Sequence, residues 1–290
     1  MMGSMRRLIA GALAALLFAG PALAQPPVWV VRDKDSELVL FGSVHILPPG
    51  LDWRPAALTR ALAHADDLWF ELPIGPAADQ EVARLAGSRG VLAADQSLFR
   101  LLPPKDAERL VKVADAYGAD KAVLDRLEPW LAEIALAAAA FRKAGAGAQD
   151  GVERAIEAAA PPSARRRAFE TAAEQIALFD EAPLADQLAS LSQTLREMEE
   201  DPDAYQDLVR AWAAGDLATL DREALQPLRK ASPALYRRLV DARNARWTEQ
   251  LDARLKGQGR TVVVVGMGHL IGPGGVPARL RALGYSVEGP

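Results

Sequence analysis

The sequence predicts an α/β fold, in which one central sheet is built from strands at the N- and C-terminal ends and a large helical middle region forms a cap. Two observations predict it. Strand-like apolar runs fall within residues 28–70, and four consecutive valines, Val262 to Val265, lie near the other end. Between them, residues 77–256 are rich in alanine and leucine at helical spacing. We therefore expect one domain over residues 25–290, with the cap at about 77–256 inserted between the sheet-forming ends.

The first 24 residues are expected to be a secretory signal peptide. Arg6 and Arg7 precede the apolar stretch from Leu8 to Ala19, and Ala22-Leu23-Ala24 supplies a small-x-small cleavage site. The apolar stretch is too short to span a bilayer comfortably, although an uncleaved anchor is the alternative interpretation. We expect cleavage after Ala24 and a periplasmic or secreted protein without stable membrane insertion.

Composition excludes several function classes. The chain has no cysteine, so disulfides, thiolate catalysis and zinc-thiolate sites are excluded. Loss of Arg6 and Arg7 with the signal peptide would change the formal net charge from −4 to −6. Because the sequence has no basic stripe, we expect no nucleic-acid partner. The expected partner is a peptide or small-molecule substrate, as the motifs below indicate.

The N-terminal elements are predicted from short apolar runs and turn residues. A polar Asp33–Ser36 segment between two strand-like runs predicts a hairpin, and Pro48-Pro49 predicts a loop over residues 42–50. Pro55 suits the first turn of a helix, and Glu71 ends the next strand. The strands are expected at Val28–Val31, Leu38–Phe41 and Leu68–Phe70, and the helix from Pro55 to about His64.

The remaining segments are predicted mostly as helices, followed by a C-terminal strand–helix–strand. The valine run predicts a strand buried on both faces. The glycine-rich segment from Ala144 to Gly151 predicts a loop. Helices are expected at 107–117, 129–143, 152–159, 172–213 (with breaks near 199–203), 233–256 and 276–283, and strands at 166–170, 261–265 and 285–288. The order of the strands is not predicted.

One motif occurs twice: a hydrophobic strand followed by Gly-x-x-His. It ends in His45 and in His269, and the chain has only three histidines. Glu71 also follows a predicted strand, and ligands bind beyond the carboxyl ends of parallel strands. Two imidazoles and a carboxylate would suit a divalent metal with open coordination positions. Each group alone is also compatible with an ordinary structural role, and His64, beside two aspartates at a helix end, is left out of the site.

The same residues resemble the TraB/GumN family, which also includes the TIKI metalloproteases. The resemblance spans nearly the whole mature chain. It is found in blocks at residues 41–45 and 69–73, in Pro129-Trp130, Phe169-Glu170-Thr171 with Gln175, Trp212 with Gly215-Asp216, and Arg243-Asn244 with Trp247, and in the blocks at residues 265–270, 274–276 and 283–285. Ser43 stands where a threonine is frequent and keeps the hydroxyl. Glu153 stands where relatives often carry aspartate, and no role is assigned to it.

The resemblance implies an exported metal-dependent hydrolase that cleaves peptide or amide bonds. His45, Glu71 and His269 would be the metal ligands and, with Arg243, the catalytic groups. The cofactor would be a divalent metal ion (Mn, Co or Zn). Ser43 and Asn244 are the expected substrate-binding residues. A guanidinium at position 243 would bind a substrate carboxylate or a developing oxyanion, although salt bridging on the helix explains it equally well.

Two other functions stay open from the sequence. One is a non-catalytic exported binding or accessory protein that sequesters a peptide or assists polysaccharide assembly. The other is a metal-independent esterase in which His45 is the general base and Glu71 orients it, as in erythromycin-esterase-like proteins.

Overall fold

A computed structural model describes residues 25–48, 50–147 and 151–290, so the expected signal peptide lies outside the described residues. Six strands form one mixed sheet in the order β4-β3-β5-β2-β1-β6. The α/β class, with a sheet that joins both ends of the chain, is confirmed. The strands are β1 (Val28–Arg32), β2 (Ser36–Ser43), β3 (Asp67–Phe70), β4 (Arg165–Ala168), β5 (Gly259–Gly266) and β6 (Ser286–Glu288).

The predicted N-terminal hairpin is confirmed: β1 and β2 pair in antiparallel register, with Val28 opposite Phe41. Strand β2 continues two residues beyond its predicted end, because Gly42 and Ser43 pair with Val265 and Gly266 of β5. A side chain at position 42 would meet Met267, since a Cβ there would lie 2.5 Å from the Met267 Cε atom. Glycine therefore lets the turn after β5 pack directly on the end of β2.

Strand β5 lies between β2 and β3 and is parallel to both. The carboxyl ends of these three strands therefore meet at one edge of the sheet, as neighbouring parallel strands require. The short strand β4 pairs with β3 and is also parallel. It belongs to the interval predicted as a helical cap, yet it extends the sheet at the β3 side.

The helical segments follow the predicted positions closely. Residues 129–143 and 152–159 are helical to the predicted residue at both ends, whereas residues 172–213 are divided into three helices. The segment 233–256 contains two helices joined by a π-helical turn, Arg237–Asp241. The helices are α1 (Ala56–Ala63), α2 (Pro76–Arg89), α3 (Leu98–Leu101), α4 (Pro104–Tyr117), α5 (Lys121–Leu124), α6 (Pro129–Lys143), α7 (Val152–Ala159), α8 (Ala172–Asp180), α9 (Leu184–Glu200), α10 (Ala204–Ala214), α11 (Leu217–Leu220), α12 (Gln226–Ala231), α13 (Pro233–Tyr236), α14 (Ala242–Leu255) and α15 (Val276–Ala282).

Three buried clusters stabilise the described part of the chain, and the smallest contains Leu85, Trp130 and Ile176. The largest one surrounds the sheet and includes the valines of β5, Phe41 of β2 and Trp247 of α14. The second lies among α4, α6 and α9, around residues such as Leu110 and Leu191. Trp212 of α10 connects the helical region to the sheet, because its indole N–H donates to the Gly42 carbonyl at 2.8 Å. None of the helices in the described part of the chain is long and apolar enough to cross a membrane.

The buried carboxylate of Asp67 fixes the amino end of β3. Asp67 is 1% exposed and accepts two hydrogen bonds from Arg165 of β4, each of 2.8 Å. Arg254 of α14 donates to it at 3.1 Å. Burial opposes ionisation, but these guanidinium groups lower the pKa of Asp67. One carboxylate therefore joins two strands to helix α14 (Ala242–Leu255).

Replacement of Asp67 by alanine should lower the free energy of unfolding by about 3 kcal/mol, because Arg254 would be left largely buried without its partner. The free energy is measured by urea unfolding, followed by circular dichroism. The matched control is Glu81→Ala, which removes an exposed carboxylate paired with Arg84 and should change stability little. Equal effects of the two substitutions would contradict the anchoring role of Asp67.

Candidate functional site

Three predicted side chains meet at the carboxyl edge of β2, β5 and β3. His45 lies two residues after β2, Glu71 directly after β3, and His269 in the 3₁₀ turn after β5. A Cβ built on Gly266 would lie 3.2 Å from Glu71 Oε1, 3.7 Å from His269 Cδ2 and 3.8 Å from His45 Nε2. The structure therefore brings both Gly-x-x-His motifs and the strand-end glutamate to one point.

Glu71 is held by hydrogen bonds to both carboxylate oxygens. Its Oε1 accepts the Gly266 backbone N–H at 2.6 Å. Its Oε2 accepts from Arg243 Nη2 at 2.6 Å and from Gln175 Nε2 at 3.4 Å. Burial alone would raise the pKa of this carboxyl, but the facing His269, Arg243 and His45 and the Gly266 N–H lower it to about 2. Glu71 is therefore an oriented carboxylate at neutral pH.

Arg243 of α14 is 6% exposed, and its guanidinium joins most of the site. Its Nε and Nη2 donate to Glu170 at 2.8 to 3.1 Å, and Nη2 also donates to Glu71. Its Nη1 donates to the Leu239 carbonyl at 3.2 Å and contacts His269 Nε2 at 3.1 Å. All five of its N–H groups thus have protein acceptors, so none is free for a substrate in this arrangement.

The protonation of His269 follows from its two partners. Arg243 can only donate, so His269 Nε2 must accept and carry no proton. The Nδ1–H then donates to Asn244 Oδ1 at 2.7 Å, while Asn244 Nδ2 donates to the Gly274 carbonyl at 2.9 Å. Burial and the neighbouring guanidinium lower the pKa of His269 to about 4. His269 is therefore neutral near pH 7, with both ring nitrogens engaged.

His45 has the opposite environment. Glu153, in the first turn of α7, accepts from His45 Nδ1 at 3.0 Å and from Ser43 Oγ at 2.6 Å, both at Oε1. The hydrogen bond to Glu153, assisted by the charges of Glu153 and Glu71, raises the pKa of His45 to about 9. The side chain is 68% exposed, and no described residue is hydrogen-bonded to its Nε2. His45 is therefore an oriented ring with one accessible nitrogen, and this nitrogen is free to accept a proton once the pH approaches that pKa.

The three predicted metal ligands do not form a metal-binding set in this arrangement. Among the described residues, no group of three or more His, Asp or Glu side chains has positions that could hold a metal ion. The physical reason is Arg243: its guanidinium lies against Glu71 Oε2 and His269 Nε2, and so a protein cation occupies the place that a metal ion would need. A divalent cation there would be repelled by the guanidinium and would find one imidazole lone pair already engaged.

Two cavities meet at His45 and Glu71, which line both of them. One is lined mainly by polar side chains, has a volume of about 200 Å³, and includes Glu153 and the ion pair between Asp79 and Arg154. The other has a volume of about 410 Å³ and is mostly apolar. Its apolar lining includes Phe141, Tyr205, Leu208, Leu225, Val240 and Ile271. A ligand that spans both cavities would pass His45 Nε2.

The predicted substrate-binding residues make contacts within the protein. Ser43 is 2% exposed and donates to Glu153, and Asn244 is 1% exposed and lies between His269 and Gly274. Their substrate-binding role stays a prediction, as do the catalytic and metal-binding roles of the other residues. His64 is exposed at the end of α1.

Two carboxylates of the site were not singled out from the sequence. Glu170 lies two residues after β4, at a strand end like Glu71. An acidic residue at the end of the strand predicted at 166–170 could therefore have pointed to it. Glu153 is the acid to which no role was assigned, and it is the carboxylate at His45 Nδ1, where the metal-free alternative placed Glu71. An acidic residue in the first turn of a helix is common, so it gives no separate signal.

The buried neutral state of His269 predicts a loss of stability in acid. Its pKa is about 4 in the folded protein and 6.5 in the unfolded chain, so the unfolded state binds more protons between these values. This contribution is complete above pH 6.5 and is lost as the pH falls towards 4. Between pH 7 and pH 4.5 the free energy of unfolding should fall by roughly 2 kcal/mol on account of this group.

Urea unfolding of the wild type and of His269→Gln at the two pH values measures this contribution. The variant should show a correspondingly smaller fall between pH 7 and pH 4.5. The control variant His64→Gln should keep the wild-type dependence. An unchanged dependence in His269→Gln would show that the ring is not held neutral by its surroundings.

Comparison with known proteins places the chain in a family. The sequence profile of the TraB/PrgY/gumN family matches residues 27–289. The chain is 26% identical to the uncharacterized protein YbaP of Escherichia coli (strain K12) over 257 residues, which cover 88% of this chain and 92% of YbaP. YbaP of Shigella flexneri matches with the same identity and coverage. No solved structure matches. The resemblance expected from the sequence is confirmed, and the chain belongs to the TraB/PrgY/gumN family.

Proposed function

We propose that this protein is an exported hydrolase of carbonyl compounds, a peptide amide or an ester, in which His45 activates water. The observation that carries the proposal is the pair of His45 and Glu153. The carboxylate holds the Nδ1–H at 3.0 Å, His45 lines both cavities, and its Nε2 has no hydrogen-bond partner among the described residues. A base oriented by an acid, with its other nitrogen open to the substrate, is the arrangement that general-base catalysis requires.

In this mechanism Nε2 removes a proton from water as the water attacks the carbonyl carbon. Glu153 keeps the ring in the Nδ1–H tautomer and stabilises the imidazolium that forms. The proton then passes from Nε2 to the leaving amine or alkoxide. Ser43, which donates to the same carboxylate oxygen, fixes the position of Glu153.

Glu71 has a complementary part in the proposal. It lines both cavities beside His45, and its Oε1 lies near the same point above Gly266 as His45 Nε2. A carboxylate there accepts a hydrogen bond from the attacking water and aims its lone pair at the carbonyl. Arg243 and His269 hold Glu71 in place, so we assign them positioning roles, since their own polar atoms are engaged with each other, with Glu170 and with Asn244.

The metal-dependent form of the reaction, implied by the family resemblance, would need Arg243 to leave both Glu71 and His269. The contacts of Arg243 favour the form in which His45 acts without a metal. The non-catalytic alternative is supported by the 410 Å³ apolar cavity, which has the size and lining of a small-molecule site. Turnover separates it from the hydrolase, because a binding protein would retain its ligand unchanged.

The test uses residues 25–290 with p-nitrophenyl esters and fluorogenic peptides, in the presence of a chelator. We expect activity that survives chelation and falls about 100-fold or more in His45→Gln, because one proton-transfer group supplies that order of acceleration. Activity that vanishes on chelation and returns with Mn, Co or Zn would support the metal-dependent form. Retention of a ligand without turnover would support the binding protein.

Glu153→Gln gives a sharper prediction through the pH profile. The base must be unprotonated, so the rate rises with pH through the pKa of His45, which Glu153 raises. Removal of this negative charge lowers that pKa, and the rising limb of the rate should move to lower pH by about one unit or more. The pH dependence of kcat/KM measures the shift.

The matched control is Glu157→Gln, one turn further along α7, where the carboxylate is paired with Arg166. This control substitution should leave the rising limb of the pH–rate profile at its wild-type pH. A limb that stays unmoved in Glu153→Gln would show that Glu153 does not set the protonation of the catalytic base.

A further inference from the structure

A third cavity, of about 340 Å³, lies beside the apolar cavity of the site. Phe179, Ala224 and Leu239 line both, so these side chains form a shared wall. The third cavity is enclosed mainly by α6, α9 and α12. None of its charged or amide side chains takes part in the proposed hydrolysis.

A carboxylate without a cationic partner lies in this cavity. Glu133 of α6 accepts from Thr194 Oγ1 at 2.8 Å and from Ser190 Oγ at 3.1 Å, both at Oε1. No Lys or Arg among the described residues forms an ion pair with it, and no described residue is hydrogen-bonded to its Oε2. Burial, reinforced by the charge of Glu197, raises the pKa of Glu133 against the effect of the two hydroxyl groups.

The neighbouring polar groups do not neutralise Glu133. Glu197 also lines the cavity and accepts from Gln193 Nε2 at 2.7 Å. Arg196 donates to Gln193 Oε1, at the edge of this group. The described lining contains two carboxyl groups and no basic side chain, so the cavity favours a cation.

Two further lining residues have unpaired polar atoms. Trp130 is 3% exposed and Gln187 is 6% exposed, and no described residue is hydrogen-bonded to the Trp130 Nε1–H or to the Gln187 Oε1. Buried polar groups are almost always paired, because an unpaired one is costly. Gln187 Oε1 is an acceptor, which suits a ligand that donates. The Trp130 ring stacks on Phe179 at 6.1 Å, and aromatic faces attract cations.

We propose that this cavity binds an aliphatic primary amine, with its ammonium group at Glu133. The ammonium would donate to Glu133 Oε2 and to Gln187 Oε1, which are acceptors without a described donor. The rest of the lining is largely apolar, including Leu228, Leu235 and Leu239, and suits an aliphatic chain. This binding site does not depend on the proposed hydrolase, because it uses none of the same polar groups.

The test is a titration of the purified domain with hexylammonium, with hexanol and hexanoate as neutral and anionic compounds of the same length. Calorimetry measures affinity, and the indole N–H resonance of Trp130 in an NMR spectrum reports the location. We expect saturable binding of hexylammonium, at least tenfold weaker binding of the other two, and a shift of the Trp130 resonance.

The decisive variant is Glu133→Gln, which keeps an acceptor for Ser190 and Thr194 but removes the charge. It should weaken hexylammonium binding at least tenfold while the thermal unfolding midpoint stays near that of the wild type. Glu108→Gln, an exposed change of the same charge on α4, should bind as the wild type does.

Equal affinity of Glu133→Gln and the wild type would overturn the proposal. So would binding that leaves the Trp130 resonance unmoved and depends on Glu71, which would place the amine in the apolar cavity instead. If Glu133→Gln unfolds, Gln187→Leu provides the second measurement, because it removes the other acceptor and should weaken hexylammonium more than hexanol.

Discussion

The guanidinium of Arg243 is the group on which the geometry of the site depends. It joins the ends of three parallel strands, through Glu71 after β3, Glu170 after β4 and His269 after β5, and it does so from α14. Its face lies 4.6 Å from the centre of the Trp247 ring, and Trp247 also donates to Glu170 at 3.2 Å. Burial of these charges costs desolvation free energy, and removal of one of them would leave its partner buried and uncompensated. The cluster therefore holds its side chains in one arrangement, whatever its net contribution to stability.

The histidines of the two Gly-x-x-His motifs have pKa values shifted in opposite directions in this arrangement. His269 packs against Trp247 with ring centres 4.4 Å apart and is enclosed by Arg243 and Asn244, so it stays neutral and engaged. His45 lies at the junction of two cavities, and its carboxylate partner favours the protonated ring. The difference is one of surroundings: a guanidinium faces the first imidazole and a carboxylate faces the second. Of the two motif histidines, only His45 has a ring nitrogen that is not hydrogen-bonded to a described residue.

The fold class and the meeting of His45, Glu71 and His269 were predictable from the sequence, because each follows a hydrophobic strand and parallel strands end at the same edge. The hydrogen-bond partners of these three residues were not predictable from the sequence. Glu170 closes a predicted strand, but only the strand order shows that this strand lies beside β3. Glu153 is brought to Ser43 and His45 by the tertiary position of α7, which no local pattern encodes. The metal-binding role of His45, Glu71 and His269 stays a prediction, and it depends on the position of Arg243, which sequence spacing cannot reveal.

A crystal structure of the domain grown with Mn²⁺, with the metal located by its anomalous scattering, measures most directly whether Arg243 takes the place of a metal ion. We expect Arg243 Nη2 to remain within hydrogen-bond distance of Glu71 Oε2, as at 2.6 Å here, with no anomalous peak among His45, Glu71 and His269. A peak at about 2 Å from two or more of these side chains, with Arg243 displaced, would contradict this.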